Sequence, residues 1–374
     1  MIYLDYSATT PVNDEVLNSY IGACHNYFAN PNSLHKIGFE ANQMIEKATK
    51  QIADILGVKE TEVIYTSGAS ESNNTVIKGV CEKYKNRGKH IITTNLEHSS
   101  IYGPLSFLQN KGFEVDFVNL DKDGMVDLNH LESLIRDDTI LVSISAVNSE
   151  IGLRQPIEAI GKILKKYPKC LFHADITQIV GKAPIDLENV DLASFSAHKF
   201  FGMKGFGVLI KKENVNIEPL IHGGKSTTKF RSGTPAAPLI VSTAKALRLA
   251  TTNLDRKYEY VKDLWFYLKD ELSKIKGIVI NSNNECIPHV LNFSILNIKP
   301  ETMLHALEEE EIYISTQSAC SSNTTKSRAV FALTNNEEVA LHSLRVSISY
   351  VTTKEEIDKF IEVLKEKMRD LILR

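Results

Sequence analysis

The chain has 374 residues, of which 43% are hydrophobic and 24% charged, with a net charge of −3 at pH 7. That length exceeds one compact domain and points to two. The balanced charge gives no basis for direct nucleic-acid binding or for an anionic membrane as partner. No basic region followed by an apolar core opens the chain, and no apolar run is long enough to cross a bilayer, so a cytoplasmic protein is expected. Five scattered cysteines (Cys24, Cys81, Cys170, Cys286, Cys320) are odd in number and lack metal-ligand spacing. They argue for a reducing compartment and against a disulfide framework or structural metal.

In chain order, Ile37, Ala41, Met44, Ile45, Ala48, Ile52 and Ile55 recur at helical spacing and give one apolar face. Strand candidates follow at Val63–Thr66, His90–Thr94, Glu114–Val118, Ile140–Ala146, Leu171–Ala174, Leu192–Phe195 and Gly207–Ile210. Helical stretches near Ala69–Tyr84 and Pro156–Lys166 alternate with them, which predicts a largely parallel sheet covered by helices on both faces. Leu239–Ile275 has neither Pro nor Gly and reads as one long or broken helical region. Shorter strands are expected around Gly277–Asn281, His289–Ile295, Ile312–Ser315 and Leu344–Ser349. Thr353 and Glu356 form a capping-box pattern ahead of the stripe Ile357, Phe360, Ile361, Leu364 and Met368. The fold class is therefore α/β, with a seven-stranded sheet in a large domain of residues 14–255. A smaller α+β domain takes 256–374 together with 1–13, the N-terminal tail crossing over to it.

Candidate chemistry sits at the strand ends. Lys199 follows the apolar strand that leads into Ser196-Ala197-His198-Lys199 and could form a Schiff base with an aldehyde cofactor, with Ser196 and His198 donating to a phosphate. Taken singly, a surface lysine in a polar turn is the ordinary reading. Asp175 ends another strand, where open α/β sheets bind ligands, and an acid there could face a pyridine nitrogen; a helix cap explains it equally well. Thr66-Ser67-Gly68-Ala69-Ser70 is a small-residue turn into a helix, an anion site or an ordinary N-cap. His98, after a further strand, could stack on a planar ring and move protons near neutral pH, although a lone histidine is commonly structural. Several strand ends converging on one ligand is what gives these readings weight.

The ordered set Leu4-Asp5-Tyr6-Ser7-Ala8-Thr9-Thr10-Pro11, Asn30-Pro31-Asn32-Ser33, Ser67-Gly68-Ala69-Ser70-Glu71-Ser72, Glu97-His98, Val147-Asn148-Ser149-Glu150-Ile151-Gly152, Asp175-Ile176-Thr177-Gln178, Ser196-Ala197-His198-Lys199 and Arg231-Ser232-Gly233-Thr234 resembles the NifS/IscS-type cysteine desulfurases of the class V aminotransferase group. The resemblance runs from residue 4 to about residue 361. It implies a pyridoxal 5'-phosphate enzyme of fold type I. It makes Lys199 the cofactor's covalent holder, Asp175 the partner of the pyridine nitrogen, His98 the residue stacked on the ring and Gln178 the partner of the ring hydroxyl. Ala69, Ser70, Ser196 and His198 would hold the phosphate, completed by Thr234 from the other subunit of a homodimer. Asn148 and Arg345 would bind the carboxylate of L-cysteine; from the residues alone, Arg345 reads as a strand-edge charge.

The same resemblance makes Cys320 the nucleophile that takes sulfur as a persulfide. Its surroundings, Ser318-Ala319-Cys320-Ser321-Ser322-Asn323, read as a mobile loop that would present sulfur to an acceptor, an iron–sulfur scaffold or a tRNA-thiolation enzyme. A free cysteine is otherwise a small buried hydrophobe. Departures from the family pattern stand at Ser70, Ala146, Ser149, Met203, Gln317 and 225–230. The competing readings are another class V enzyme, such as a selenocysteine lyase or a small-amino-acid aminotransferase, and a catalytically silent scaffold of the same fold.

Overall fold

The structure, a computed structural model, describes residues 1–224, 226–316 and 326–372. Its strands are β1 (Ile2–Tyr3), β2 (Val63–Thr66), β3 (His90–Thr93), β4 (Glu114–Phe117), β5 (Thr139–Ser143), β6 (Leu171–Asp175), β7 (Leu192–Ser196), β8 (Gly207–Lys211), β9 (Ile278–Ile280), β10 (Val290–Ile295), β11 (Ile312–Tyr313) and β12 (Ser343–Ser347). Seven of them form the expected large sheet in the order β2-β8-β7-β6-β5-β3-β4. Only β8 runs against its neighbours, pairing antiparallel with both β2 and β7. β5, β7 and β8 are buried along their whole length, as near-continuous apolar runs must be when helices cover both faces. β4, at the edge, is only partly buried and carries Glu114 and Asp116, charges that discourage further pairing.

β2, β3, β5, β6 and β7 all point the same way, so their carboxyl ends lie along one edge. β8 enters at that edge: Gly207 pairs with Thr66 at the end of β2 and with Ser196 at the end of β7. A side chain at Gly207 would meet Gly68 Cα at 2.5 Å and the Phe195 carbonyl at 2.7 Å. The missing side chain is what lets the turn after β2 lie against the end of β7.

The predicted helical region 239–275 is two helices, Ala237–Thr251 and Leu254–Ser273. The break falls at Asn253, whose φ of 54° is left-handed, a conformation asparagine tolerates better than most residues. The first helix packs into an apolar cluster with Val16, Ile45, Phe172 and Phe195. The second packs into another, with Leu4, Phe293, Leu344 and Phe360. β9, β10 and β12 form a three-stranded antiparallel sheet in this second cluster, and β1 pairs in parallel with β11. Thr353 and Glu356 close the expected capping box at the last helix, each accepting the other's backbone N–H at 3.2 and 2.9 Å. We propose from the two clusters that the chain divides near residue 255, with residues 1–13 belonging to the second unit.

Gly207→Ala is expected to cost about 1–3 kcal/mol, because backbone lies on both sides of the new methyl. Gly103→Ala, in a helix with open space around the new atom, is expected to be neutral or mildly stabilising. Urea denaturation of the two variants checks the contrast.

Candidate active site

Lys199 closes a short 3-10 turn, Ala197–Lys199, directly after β7. Its Nζ donates to the carbonyls of Ser7 at 2.5 Å and Ala8 at 2.7 Å, so the N-terminal segment supplies the polar anchor for this ammonium. Asp175 ends β6 and is buried; its Oδ1 accepts the Thr177 N–H at 3.0 Å and its Oδ2 accepts Asn73 Nδ2 at 2.8 Å. Ser196 ends β7, and its Oγ accepts the N–H of Ala69, the first residue of the helix Ala69–Tyr84, at 2.7 Å. His198 Nδ1 lies 3.0 Å from Thr9 Oγ1, and burial beside Lys199 and Lys204 pulls its pKa down to about 4. It is therefore a neutral ring near pH 7.

Gln178 has its amide orientation dictated by its neighbours. The Ser7 carbonyl, which can only accept, takes an Nε2 proton at 3.0 Å and so turns Oε1 to Lys182 Nζ, which donates to it at 2.9 Å. One Nε2 proton remains. Asn148 is buried, its Oδ1 accepting from the amides of Glu150 and Ile151 and its Nδ2 donating to the Leu96 carbonyl. Arg345 is not a strand-edge charge. It sits inside β12, 1% exposed, with Nη2 on Asp5 Oδ1 at 2.7 Å and Nη1 on the Ser149 carbonyl at 3.0 Å, while Nε is buried without a partner.

These side chains line one cavity of about 230 Å³ that includes Ala69, Ser70, His98, Asn148, Asp175, Gln178, Ser196, His198, Lys199 and Arg345. A hollow of about 330 Å³ beside it is lined by Thr9, residues 67–71, Ser196, His198, Lys204 and Gly205. Its hydroxyls, helix start and lysine make it the anion side of the site. Thr234 is outside both. It is exposed and lines a neighbouring depression with Ser67, Gly205 and Arg231. Cys320 and Gln317 lie outside the described residues. Among the described residues there is no His, Cys, Asp and Glu cluster suited to a metal, and no helix long and apolar enough to cross a membrane.

Four residues that sequence reasoning left without a role join the site. Asp5 pairs with Arg345 and Asn73 with Asp175. Glu97 is buried and accepts from Thr94 Oγ1, Ser145 N and Ser145 Oγ; burial pushes its pKa up to about 7, and it ties the turn carrying His98 to the segment just after β5. Lys182 is buried beside Lys199 and Arg345, and burial, then those charges, pull its pKa down to about 7. Spacing offered a partial signal: Asn73 is one turn after Ser70, and Lys182 one turn after Gln178.

An amine just after a strand end, a buried carboxylate lining the same cavity and a hydroxyl-rich helix start beside it fit the chemistry of pyridoxal phosphate. Lys182 makes a separate prediction. Between about pH 7 and the ordinary lysine range, the unfolded chain binds a proton there that the folded chain does not, so folded stability rises with pH. Lys182→Met lacks that dependence. Its stability relative to the parent is expected to fall by up to about 1.4 kcal/mol per pH unit across that window, read by denaturation at about pH 7.5 and 9.5.

Comparison with known proteins places this site in a family. The aminotransferase class-V model matches residues 2–360. The chain is 39% identical to a cysteine desulfurase IscS of Dictyoglomus turgidum, over 99% of this chain and 96% of that one. A solved NifS-like protein superposes with a TM-score of 0.93 at 38% identity, covering 98% of this chain and 99% of its own. A structure described as SspA in complex with cysteine superposes with a TM-score of 0.83 at 31% identity, covering 94% of this chain and 100% of its own. With the family model spanning residues 2–360 and this end-to-end similarity, the chain belongs to the class V aminotransferase family, in its NifS/IscS cysteine desulfurase group.

Proposed function

We propose that this chain is a pyridoxal-phosphate-dependent cysteine desulfurase that converts L-cysteine to L-alanine and takes the sulfur onto Cys320. The observation that carries the reading is the single cavity joining Lys199, Asp175, His98 and Gln178 to Asn148 and Arg345. Lys199 would hold the cofactor covalently, Asp175 would face its ring nitrogen, His98 its ring face and Gln178 its hydroxyl. Ser70, Ser196, His198 and the Ala69 end of the helix would take the phosphate. Thr234, exposed and outside its own chain's cavity, would complete that phosphate site in a second copy of the chain, making the working unit a homodimer. Bound there, the cofactor supplies an electron sink for the substrate's Cα.

The residues then divide the work. Arg345 would offer the substrate carboxylate the remaining protons of its terminal nitrogens, held in place by Asp5 and by the Ser149 carbonyl. Asn148 has one Nδ2 proton left for the same carboxylate. Lys199 would carry the Cα proton, and the Ser7 and Ala8 carbonyls give its ammonium form a place to rest. Cys320 as thiolate attacks the substrate sulfur; a sulfur–sulfur bond forms and the carbon–sulfur bond breaks. The electron pair stays on carbon, which is protonated and leaves as alanine, and the enzyme keeps a persulfide. An acceptor protein, an iron–sulfur scaffold or a tRNA-thiolation enzyme, removes that sulfur.

Lys199→Ala is expected to lose the visible absorption band of the cofactor–lysine linkage. Cys320→Ala is expected to keep that band and lose sulfide release from L-cysteine under multiple turnover. A purified parent protein that stays colourless with added cofactor would end the enzyme reading. Full-rate sulfide release by Cys320→Ala would move the chain to another class V activity.

A further inference from the structure

His98 precedes the helix Ser99–Gln109 and caps it with its own ring: Nδ1 accepts the Ser100 backbone N–H at 3.2 Å and stands 2.9 Å from the Ser100 hydroxyl. The direction of that second contact is settled further away. Asp175 Oδ2 is a carboxylate oxygen and accepts, so Asn73, wholly buried, must turn Nδ2 and not Oδ1 towards it. The other proton on Nδ2 then points at Ser100 Oγ, 2.9 Å away. Ser100 Oγ accepts from Asn73, so its own proton is left for His98 Nδ1. That ring nitrogen faces two donors, one of them the amide of a helix start, where a positive charge is disfavoured.

We propose that Asn73 and Ser100 are positioning residues that lock His98 as a neutral imidazole carrying its proton on Nε2. The carboxylate of Asp175 thereby sets the tautomer of a ring it does not touch. His98 then presents the cavity with an uncharged aromatic face and a hydrogen-bond donor, and not with the base that a lone histidine at a strand end suggested.

The charged groups acting on the ring are Asp175 and Glu150, which favour its protonation, and Lys199, which opposes it; burial outweighs them and lowers the proton affinity. The same logic fits the site: a neutral ring stacks on a planar cofactor without repelling the protonated ring nitrogen that Asp175 would sustain. That consequence rests on the cofactor reading above, whereas the tautomer itself does not.

The experiment is nitrogen NMR of the full chain labelled at histidine, with cofactor bound and with it stripped, the His98 signals assigned through His98→Gln. The expected result in both forms is a neutral ring with its proton on Nε2 through the neutral pH range. Ser100→Ala and Asn73→Ala are each expected to shift the population towards Nδ1 protonation and to move the ring's protonation midpoint up. Ser100→Thr, which keeps the hydroxyl, is expected to restore the parent pattern. A parent His98 with its proton on Nδ1, or a charged ring at neutral pH, overturns the proposal, as do Ser100→Ala spectra identical to the parent's. If the variants fold poorly, the parent spectrum alone decides. Failure of the desulfurase reading would show as absent cofactor absorbance, while the stripped-protein spectrum would still report the tautomer.

Discussion

Parallel strands leave their carboxyl ends on one side of a sheet, and this molecule builds its site on that constraint. Asp175 ends β6, Ser196 ends β7 and Lys199 follows it by three residues. The turn at Gly68 follows β2, and His98 follows β3 by five residues. Apart from Ser196 and Lys199, none of these groups is near another in sequence, and none needs a long loop to meet. Gly207 in β8 is the geometric condition for the arrangement, since backbone from Gly68 and Phe195 fills the space its side chain would take.

The N-terminal segment closes the other wall. Leu4 accepts a hydrogen bond from the Ser347 amide at 2.7 Å, Asp5 pairs with Arg345, and the Ser7 and Ala8 carbonyls receive Lys199. Five residues of chain, 4–8, thus link the smaller sheet to Lys199. Burying Arg345 against Asp5 costs desolvation that a hydrophobic pair would avoid, so stability is a poor explanation for it. A guanidinium held rigid with spare protons facing a cavity is a better one. Ser149 shows why a departure from the family pattern is tolerated here: Arg345 contacts its carbonyl, which any residue supplies.

A second theme is polarity passed along hydrogen bonds. Groups that can only donate or only accept fix their amide neighbours. The Ser7 carbonyl orients Gln178, and the Asp175 carboxylate orients Asn73 and, through Ser100, His98. Asn73 spends both Nδ2 protons in this way and leaves its Oδ1 buried without a partner among the described residues, so in a low-dielectric site the carboxylate and not the amide oxygen decides the pattern.

The sequence by itself determined the strands, their α/β alternation and the residues able to do chemistry. Short runs of four to seven residues bounded by turns mark all seven strands of the large sheet, and Lys199, Asp175, His98 and Gln178 stand at or just after strand ends. Order along the chain carried the family resemblance, and so the cofactor and the activity. What tertiary structure decided is what depends on contacts across more than a hundred residues. Arg345 looks like an edge charge until Asp5, 340 positions earlier, is seen against it. Asn73 carries no role in the sequence until Asp175, 102 positions later, accepts from it. Periodicity reports which face of an element is apolar; it holds no information about which polar groups from distant strands will share one cavity, because that follows from how the sheet is ordered and packed.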